Sequence, residues 1–304
     1  MEYLLDGVWS SYTLIMKAII LDGRKTRDAL LPALVTKIKA LSHVPTLAII
    51  QVGNRADSSA YIRAKKALAK KIGVNEKHIQ VSEGISQREL IEIIEEYNDD
   101  PLIQGIILQL PLPLHLDRDT IIEHINPRKD ADGLTAFNVK RWLEGREDAI
   151  YPATARGVRE LLAYYKIDLF GKKVVVIGRS MLVGKPIAAF CMNENATVNV
   201  CHSKTADLAK ETKEADIIIV AAGKPNLIQT KHVKSGQIVI DVGINTIEGF
   251  KLENEIAGSK LVGDVDFEAV KEKVMAITPV PGGVGPMTVL ALFENLIDLN
   301  RTLN

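Results

Sequence analysis

Lys65 is the residue of this sequence best placed to move a proton. It belongs to segment 57–73, DSSAYIRAKKALAKKIG, whose apolar spacing predicts a helix. At about 100° per residue, Lys65 projects only about 40° from Tyr61, inside the apolar stripe, whereas Lys66 and Lys70 point the other way. Burial lowers the pKa of a lysine toward the range useful for proton transfer. The alternative is a lysine at the edge of the stripe whose ammonium reaches solvent.

Two further polar positions are candidates to act with Lys65. Gln109 interrupts the apolar run GIILQLPL (105–112), at the carboxyl end of a predicted strand, where open α/β sheets bind ligands. A buried glutamine needs hydrogen-bond partners, and Lys65 is able to supply one. Asp130 and Asp132 lie in the tight turn KDADG, for which a simple Asx-turn is the alternative. Together these positions favour a catalytic site.

A glycine turn later in the chain predicts a dinucleotide site. In VVVIGRSMLVGKPIAAF (174–190), a β-branched run ends at Gly178 and a helical stretch begins near Val183, with Gly184 as its second residue. Such a turn places backbone N–H groups and a helix N-terminus against a pyrophosphate. The standard three-glycine fingerprint is incomplete. A P-loop is disfavoured because five residues separate the glycines and Pro186 stands where a Mg²⁺-binding hydroxyl is needed.

The strand that follows indicates which dinucleotide is bound. NAD-binding folds usually carry Asp or Glu at the end of this strand, where it binds the ribose 2′-OH. Here the strand ends in CHSKT (201–205), which has no acid, and Arg179 in the first turn can reach the same place. A 2′-phosphate pairs with Arg and Lys and repels a carboxylate. The sequence therefore predicts NADP; the alternative is that Ser203 and Lys204 are solvated loop residues.

Short apolar runs alternate with helical patterns along the chain, which predicts an α/β fold with parallel sheets covered by helices on both faces. Segment 57–73 is predicted to be capped by Asp57 or Ser58 at its start and by Gly73 at its end. Two more helices are predicted at SQRELIEIIEEYNDD and DRDTIIEHI, and a strand at 46–53. The later series is strand 173–177, helix 183–194, strand 196–201, helix 205–212, strand 216–221 and strand 237–241.

The later series has a Rossmann-like order, so two domains with a cleft between them are predicted, and one large domain is the alternative. Residues 1–150 plus 280–304 would form a parallel-sheet catalytic domain, and residues 151–279 an NADP-binding domain. Residues 1–15 are interpreted as an extension before a second plausible start at Met16. An ordinary first strand or arm is the alternative for that segment.

Composition excludes several other classes of protein. Lys plus Arg equals Asp plus Glu at 38 each among 304 residues, so charge supports neither a nucleic acid nor a membrane partner. No apolar run reaches the roughly 18 residues that span a bilayer. The two cysteines, Cys191 and Cys201, form no CxxC pair, which suits the reducing cytoplasm. The six histidines lack ligand spacing, so no metal is predicted.

Several segments together resemble the methylenetetrahydrofolate dehydrogenase–cyclohydrolase family, from about Lys17 to the C-terminus. In chain order they are SSAYIRAKKALAKKIG, GIILQLPLP, NPRKDADGLT, VVVIGRSMLVGKP, CHSKT, IVIDVGIN and ITPVPGGVGPMT. The family's P-C-T-P-x-G is replaced here by PATARG, with Ala155 in place of the second proline. Ala67 replaces the second lysine of the helix motif, and Thr246 stands where an arginine is common.

The resemblance implies an enzyme that oxidises 5,10-methylenetetrahydrofolate with NADP⁺ and then hydrolyses 5,10-methenyltetrahydrofolate to 10-formyltetrahydrofolate. It places the protein in one-carbon metabolism and purine biosynthesis, as a cytoplasmic homodimer joined through a strand edge of the dinucleotide domain. The alternatives are a dehydrogenase that lacks the cyclohydrolase step and a non-enzymatic, NADP-sensing Rossmann protein.

The resemblance also implies roles for individual residues. The catalytic group is Lys65 as the proton carrier, Gln109 to orient it, Tyr61 to stack on or bond the substrate, and Asp132 to accept N–H groups of the pterin. The implied cofactor-binding residues are Gly178, Arg179, Ser180, Gly184, Ser203, Gly243 and Ile244. The implied substrate-binding residues are Tyr61, Asp132, Pro281, Gly282 and Gly283.

Overall fold

A computed structural model of the chain describes residues 17–251 and 257–301, so the predicted extension 1–15 lies outside the described residues. The elements in chain order are β1 (Ile19–Ile20), α1 (Gly23–Lys39), β2 (Thr46–Val52), α2 (Ala56–Ile72), β3 (Asn75–Val81), α3 (Gln87–Asp99), β4 (Gly105–Gln109), α4 (Arg118–Glu123), α5 (Ala136–Leu143), α6 (Ala153–Tyr164), β5 (Lys173–Ile177), α7 (Gly184–Asn193), β6 (Thr197–Cys201), α8 (Leu208–Glu214), β7 (Ile217–Val220), β8 (Ile238–Asp241), β9 (Asn245–Lys251), β10 (Ala257–Val262), α9 (Phe267–Lys271), β11 (Ala276–Ile277) and α10 (Val284–Arg301).

The first sheet has three parallel strands in the order β3-β2-β4. The central strand β2 is an almost unbroken apolar run because both of its faces are covered. Leu47 and Ile49 face one apolar cluster, while Ala48 and Ile50 face another. The carboxyl ends of β2 and β4 meet at Gln51 and Gln109, so Gln109 reaches the edge of the sheet where ligands bind.

The second sheet has six parallel strands in the order β1-β11-β8-β7-β5-β6. Its strands β5 to β8 correspond to the four strands predicted from residue 173 onward, with ends that differ by at most one residue. The two-residue strand β1 pairs with β11, so residues 19–20 lie in this sheet although they precede the predicted boundary near residue 150. The exact division into domains stays a prediction.

The helix that carries Lys65 begins earlier than its sequence predicts. Helix α2 starts at Ala56, and its N-cap residue is Arg55 rather than Asp57 or Ser58. Only residues 53–55 connect β2 to α2, so the chain must enter the helix at once. The predicted C-cap is confirmed: Gly73 is left-handed with φ 77°, and its N–H donates to the carbonyl of Ala69.

The C-terminal helix α10 packs against α6, α1 and α2, so it connects the two halves of the chain. Most of its side chains are buried, which explains its apolar sequence VGPMTVLALFENLIDLNR. Strands β9 and β10 form an antiparallel pair that the sequence does not predict. Among the helices of residues 17–251 and 257–301, none is long and apolar enough to cross a membrane.

Candidate active site

A cleft of about 380 Å³ lies where the two sheets approach each other. One wall is formed by α2, the end of β4 and the turn after residue 130, and the other wall by loops at the carboxyl ends of β5 and β8. The lining includes Tyr61, Lys65, Gln109 and Asp132 on the first wall and Leu182, Val183, Val242 and Ile244 on the second. The four predicted catalytic residues are therefore together in one cavity.

Lys65 is the buried basic residue of this cleft. Its side chain is only 9% exposed, and its Nζ donates a hydrogen bond of 3.0 Å to Oε1 of Gln109. Burial lowers the pKa of Lys65, and the negative charge of Asp132 acts in the opposite direction. The helical-face prediction is confirmed for Lys65, which is buried, and for Lys70, which is exposed, but not for Lys66. Lys66 is half-buried and forms an ion pair of 3.3 Å with Glu76.

Gln109 is held in one orientation by two hydrogen bonds. Its Nε2 donates to the carbonyl of Leu110 at 2.9 Å, while its Oε1 accepts from Lys65. The amide therefore directs its acceptor at the ammonium of the lysine. The bond from Gln109 also holds the Nζ of Lys65 at the edge of the sheet. This atom lies at the cavity that Tyr61 and Asp132 also line.

The two aspartates of the KDADG turn have different surroundings. Asp130 is buried, and its Oδ2 accepts hydrogen bonds from the backbone N–H of Thr135 (2.8 Å) and from Nδ2 of Asn138 (2.9 Å). Asp130 therefore organises the turn through Thr135 and Asn138, five and eight residues later, which is a structural role other than the Asx-turn given as the alternative. Asp132 lines the cleft; burial raises the pKa of its carboxyl, and the charge of Lys65 lowers it.

The predicted dinucleotide turn requires both of its glycines. Gly178 has φ 123°, and a Cβ added to Gly184 would lie 2.2 Å from the carbonyl oxygen of Gly178. The N–H of Gly178 donates to the carbonyl of Cys201, which brings the turn against the end of β6. Oγ of Ser180 accepts from the N–H groups of Val183 (3.2 Å) and Gly184 (3.4 Å) at the start of α7. Neither Gly178 nor Gly184 has room for a Cβ, and the turn from Gly178 to Gly184 is called the cradle below.

The residues that were predicted to bind a 2′-phosphate lie around this cradle. Arg179 follows Gly178 directly and is exposed, as are Ser203 and Lys204 in the turn after β6. The register of β5 and β6 pairs Ile177 with Cys201, so the two turns are neighbours. Two cations, a hydroxyl and the N-terminus of α7 therefore face the same region. This set fits the phosphates of a dinucleotide.

A buried aspartate that the sequence reasoning missed joins two loops at the other end of this site. The carboxylate of Asp264 accepts N–H bonds from residues 222–224 at 2.6 to 2.9 Å and from Nδ2 of Asn245 at 2.9 Å. A Cβ on Gly243 would lie 2.2 Å from its Cγ, which is why that position is glycine. Asp264 thereby fixes the loop that carries Ile244 into the cleft.

Three predicted substrate residues lie apart from the lining of the cleft. Gly282 accepts N–H bonds from Gly23 (2.9 Å) and Arg24 (3.2 Å) at the start of α1. A Cβ on Gly23 would lie 1.7 Å from the carbonyl oxygen of Gly283. The structure therefore gives this PGG segment, which begins at Pro281, a contact with α1. Its role in binding substrate stays a prediction.

Comparison with known proteins identifies the family. The model of the tetrahydrofolate dehydrogenase/cyclohydrolase catalytic domain matches residues 21–132, and the model of the NAD(P)-binding domain of the same family matches residues 152–303. The chain is 45% identical over 293 residues to the bifunctional protein FolD of Bacillus subtilis, a match that covers 95% of this chain and 100% of the relative. The chain belongs to the tetrahydrofolate dehydrogenase/cyclohydrolase family.

Solved structures of tetrahydrofolate dehydrogenase/cyclohydrolases have the same fold. The FolD enzyme of Campylobacter jejuni is 42% identical with a TM-score of 0.88, and the match covers 94% of this chain and 100% of that one. The Trypanosoma brucei FolD, solved with NADP and an inhibitor, is 35% identical with a TM-score of 0.89, covering 94% and 98%. The family and the two-domain α/β fold predicted from the sequence are therefore confirmed.

The structure gives no site for a metal beside these residues. In the part of the chain that the structure describes, no group of three or more His, Cys, Asp or Glu side chains is arranged to hold a metal ion.

Proposed function

We propose that this chain carries out both family reactions in the one cleft: NADP-dependent oxidation of 5,10-methylenetetrahydrofolate to 5,10-methenyltetrahydrofolate, and hydrolysis of that product to 10-formyltetrahydrofolate. The observation that carries this proposal is the mixed lining of the cleft. Lys65 and Asp132 lie on one wall, and Val183 and Ile244, next to the dinucleotide turn and the β8 loop, lie on the other. A folate and a nicotinamide therefore share one space.

On the folate side, Asp132 and Tyr61 orient the substrate. A carboxylate is able to accept two N–H bonds from the amino-pyrimidine edge of a pterin, and such charge-assisted pairs are strong and directional. Tyr61 lines the same cavity, one helical turn from Lys65, where its ring can pack against the pterin. This orientation places the one-carbon centre between Lys65 and the wall that carries Ile244.

On the cofactor side, the cradle of Gly178 and Gly184 takes the pyrophosphate against the N-terminus of α7. Arg179 and Ser203 contact the 2′-phosphate, which explains the absence of an acid at the end of β6. The loop of Gly243 and Ile244 presents backbone to the nicotinamide. Bound NADP⁺ supplies the hydride acceptor, so the protein's contribution to this step is positioning.

In the hydrolytic step, Lys65 moves the proton. A water molecule adds to the methenyl carbon and gives a proton to the neutral amine of Lys65. The hydroxyl group of this adduct then loses its proton to solvent as the formyl C=O forms and the bond from that carbon to N5 breaks. N5 takes the electron pair of that bond together with the proton held by Lys65. The formyl group remains on N10, and one proton is released overall. Burial favours the neutral amine, and Gln109 fixes its position.

One coupled assay tests the proposed function. The protein is supplied with 5,10-methylenetetrahydrofolate and NADP⁺, and the absorbance of the methenyl intermediate is followed together with that of NADPH. We expect NADPH to accumulate while the methenyl signal rises and then falls. A methenyl signal that rises and stays would indicate a dehydrogenase only. Binding of NADP without any turnover would indicate a nucleotide-sensing protein instead.

We also propose a cytoplasmic homodimer whose product serves purine biosynthesis and that has no nucleic acid or membrane partner. Strand β6 is an edge of the six-stranded sheet, and its Val200 is 39% exposed. Such an edge presents unpaired N–H and C=O groups to a second copy of the chain. Light scattering at micromolar concentration tests the assembly, and a monomeric mass would contradict it.

A further inference from the structure

Asn295 on α10 is fully buried and joins two distant parts of the chain. Its Nδ2 donates one hydrogen bond of 2.8 Å to the carbonyl of Ala131 and another of 2.8 Å to the carbonyl of Tyr151. These carbonyls belong to the peptide bonds that lead into Asp132 and Pro152, and both of those residues line the cleft. A single amide therefore connects the substrate aspartate to the segment that begins α6.

The two segments joined by Asn295 are also in direct contact. A Cβ on Gly133 would lie 2.3 Å from the carbonyl oxygen of Ile150. Gly133 has φ 66°, so the turn that carries Asp132 is closed against residues 150–151. Without the N–H donors of Asn295, two buried carbonyls would lose a partner, and this closed arrangement would relax.

Arg156 determines which way the amide of Asn295 faces. Its Nη1 donates to Oδ1 of Asn295 at 2.8 Å and to Oδ2 of Asp298 at 2.6 Å, and its Nε lies 3.3 Å from Oε2 of Glu294. Because a guanidinium only donates, it must face the oxygen of the amide. The nitrogen of Asn295 is thereby turned toward the two carbonyls.

We propose that Asn295 is a positioning residue for Asp132, oriented by Arg156, and that it sets the affinity of the cleft for folate. The inference rests on the proposed function, in which Asp132 binds the pterin. Asn295 touches neither substrate nor cofactor. Its effect is transmitted through the Ala131 carbonyl, and a displacement of about 1 Å in a binding group can cost about 10²-fold in rate.

The first test compares two buried asparagines of the same helix. Asn295→Leu keeps the side-chain volume and removes the donors, and we expect KM for the folate to rise about 10- to 100-fold in both reactions. The affinity for NADP should stay unchanged. Asn300→Leu is the matched control, because Asn300 is equally buried and its Nδ2 has no hydrogen-bond partner in the described structure. Equal KM values for the two variants would overturn the inference.

A double-mutant cycle separates this inference from the proposed function. In the Asp132→Ala background, Asn295→Leu should no longer change KM for the folate, since the residue it positions is gone. If Asp132→Ala alone leaves KM unchanged, the proposed role of Asp132 is wrong. If Asp132→Ala raises KM and Asn295→Leu adds an independent effect, only the positioning role of Asn295 is wrong.

A second variant decides the matter if Asn295→Leu does not fold, as judged by loss of NADP binding. Asn295→Asp keeps the shape and the acceptor that faces Arg156; it replaces the two N–H donors with a carboxylate oxygen and adds a negative charge beside Arg156. The same rise in folate KM, with NADP affinity retained, would support the inference. A folate KM equal to that of the wild-type protein would overturn it.

Discussion

At the scale of single residues, the cleft contains one basic and one acidic side chain, Lys65 and Asp132. For each of them, burial and the charge of the other residue shift the pKa in opposite directions. Burial lowers the pKa of Lys65 and raises the pKa of Asp132, while the attraction between the two charges acts against both changes. A lysine in this position can therefore lose its proton more readily than one in water. Gln109 supports this function because it binds the ammonium without adding a charge.

Cofactor choice is predicted to rest on Arg179. Arg179→Ala should weaken NADP far more than NAD, by about 1.5–3 kcal/mol, because a hydrogen bond to a charged phosphate is lost. Binding titrations with both cofactors measure this difference. Lys172→Ala is the control, since Lys172 is also exposed but lies before β5, at the opposite end of the strand. An equal loss for NADP and NAD would mean that Arg179 contacts the pyrophosphate instead.

The sequence reveals site residues that break a local pattern and conceals those whose partners are distant backbone groups. Lys65 and Gln109 stand out because each interrupts an apolar stripe or run. Asp264 and Asn295 act through main-chain atoms far away in sequence, as in the 2.8 Å bond from Asn295 to Ala131. The only sequence signal for Asn295 is a polar residue inside the apolar run of the last helix.

At the scale of elements, burial decides which strands the sequence predicts. Strands β2, β4, β5, β7 and β8 are buried apolar runs, so their residues are recognisable. Strand β6 is mostly exposed, and its signal is the pair of β-branched valines in TVNVC. Strand β3 reads NEKHIQV and lies at a sheet edge with mostly exposed side chains, so it carries no apolar run. The antiparallel pair β9 and β10 was missed because it lies outside the parallel sheets that the β-α alternation predicts.

The turn between β5 and α7 is predicted to fail if either glycine gains a side chain. In Gly184→Ala the new Cβ would meet the backbone of Gly178 at 2.2 Å, so the cradle must open. We expect NADP affinity to fall by about 10-fold or more, while hydrolysis of supplied 5,10-methenyltetrahydrofolate changes much less. Isothermal titration and a hydrolysis assay without NADP measure the two effects.

Gly84→Ala is the matched control for this change, because a Cβ at Gly84 would find its nearest neighbour, Oγ of Ser82, at 3.8 Å. This variant should bind NADP as the wild-type protein does. Unchanged NADP affinity in Gly184→Ala would show that the pyrophosphate does not rest on this cradle.

At the scale of the whole molecule, buried acids connect the loops that surround the cleft. Burial raises the pKa of Asp241 to about 7, although its carboxylate accepts N–H bonds from Gly243, Asp264 and Val265. Burial likewise raises the pKa of Glu294, beside Arg156. The positions of the loops at Gly243 and at residues 264–265 are therefore linked to the protonation of Asp241.

Stability is predicted to depend on pH through Asp241. Its pKa rises from 3.8 to about 7 on folding, so between these values the folded protein retains a proton that the unfolded chain has lost. The contribution of Asp241 to stability is therefore full below about pH 4 and is lost as pH rises through about 7. The loss is up to about 4 kcal/mol, at ~1.4 kcal/mol per pKa unit.

Denaturant unfolding of the wild-type protein and of Asp241→Asn, at intervals from pH 4 to pH 8, tests this prediction. The variant has no titrating group at this position, so its free energy of unfolding should fall less with rising pH than that of the wild-type protein. Parallel curves for the two proteins would contradict it, whatever the absolute stability of the variant.

The most direct measurement of the central claim is the rate of 5,10-methenyltetrahydrofolate hydrolysis by Lys65→Met. Methionine fills a similar volume without a titrating group, so the helix and NADP affinity should be retained. Hydrolysis should fall by about 10²-fold or more, as expected when a general acid–base group is removed. Lys70→Met, an exposed position on the same helix, should behave like the wild-type protein. Full hydrolysis by Lys65→Met, or equal loss in both variants, would contradict the proposal that Lys65 moves the proton.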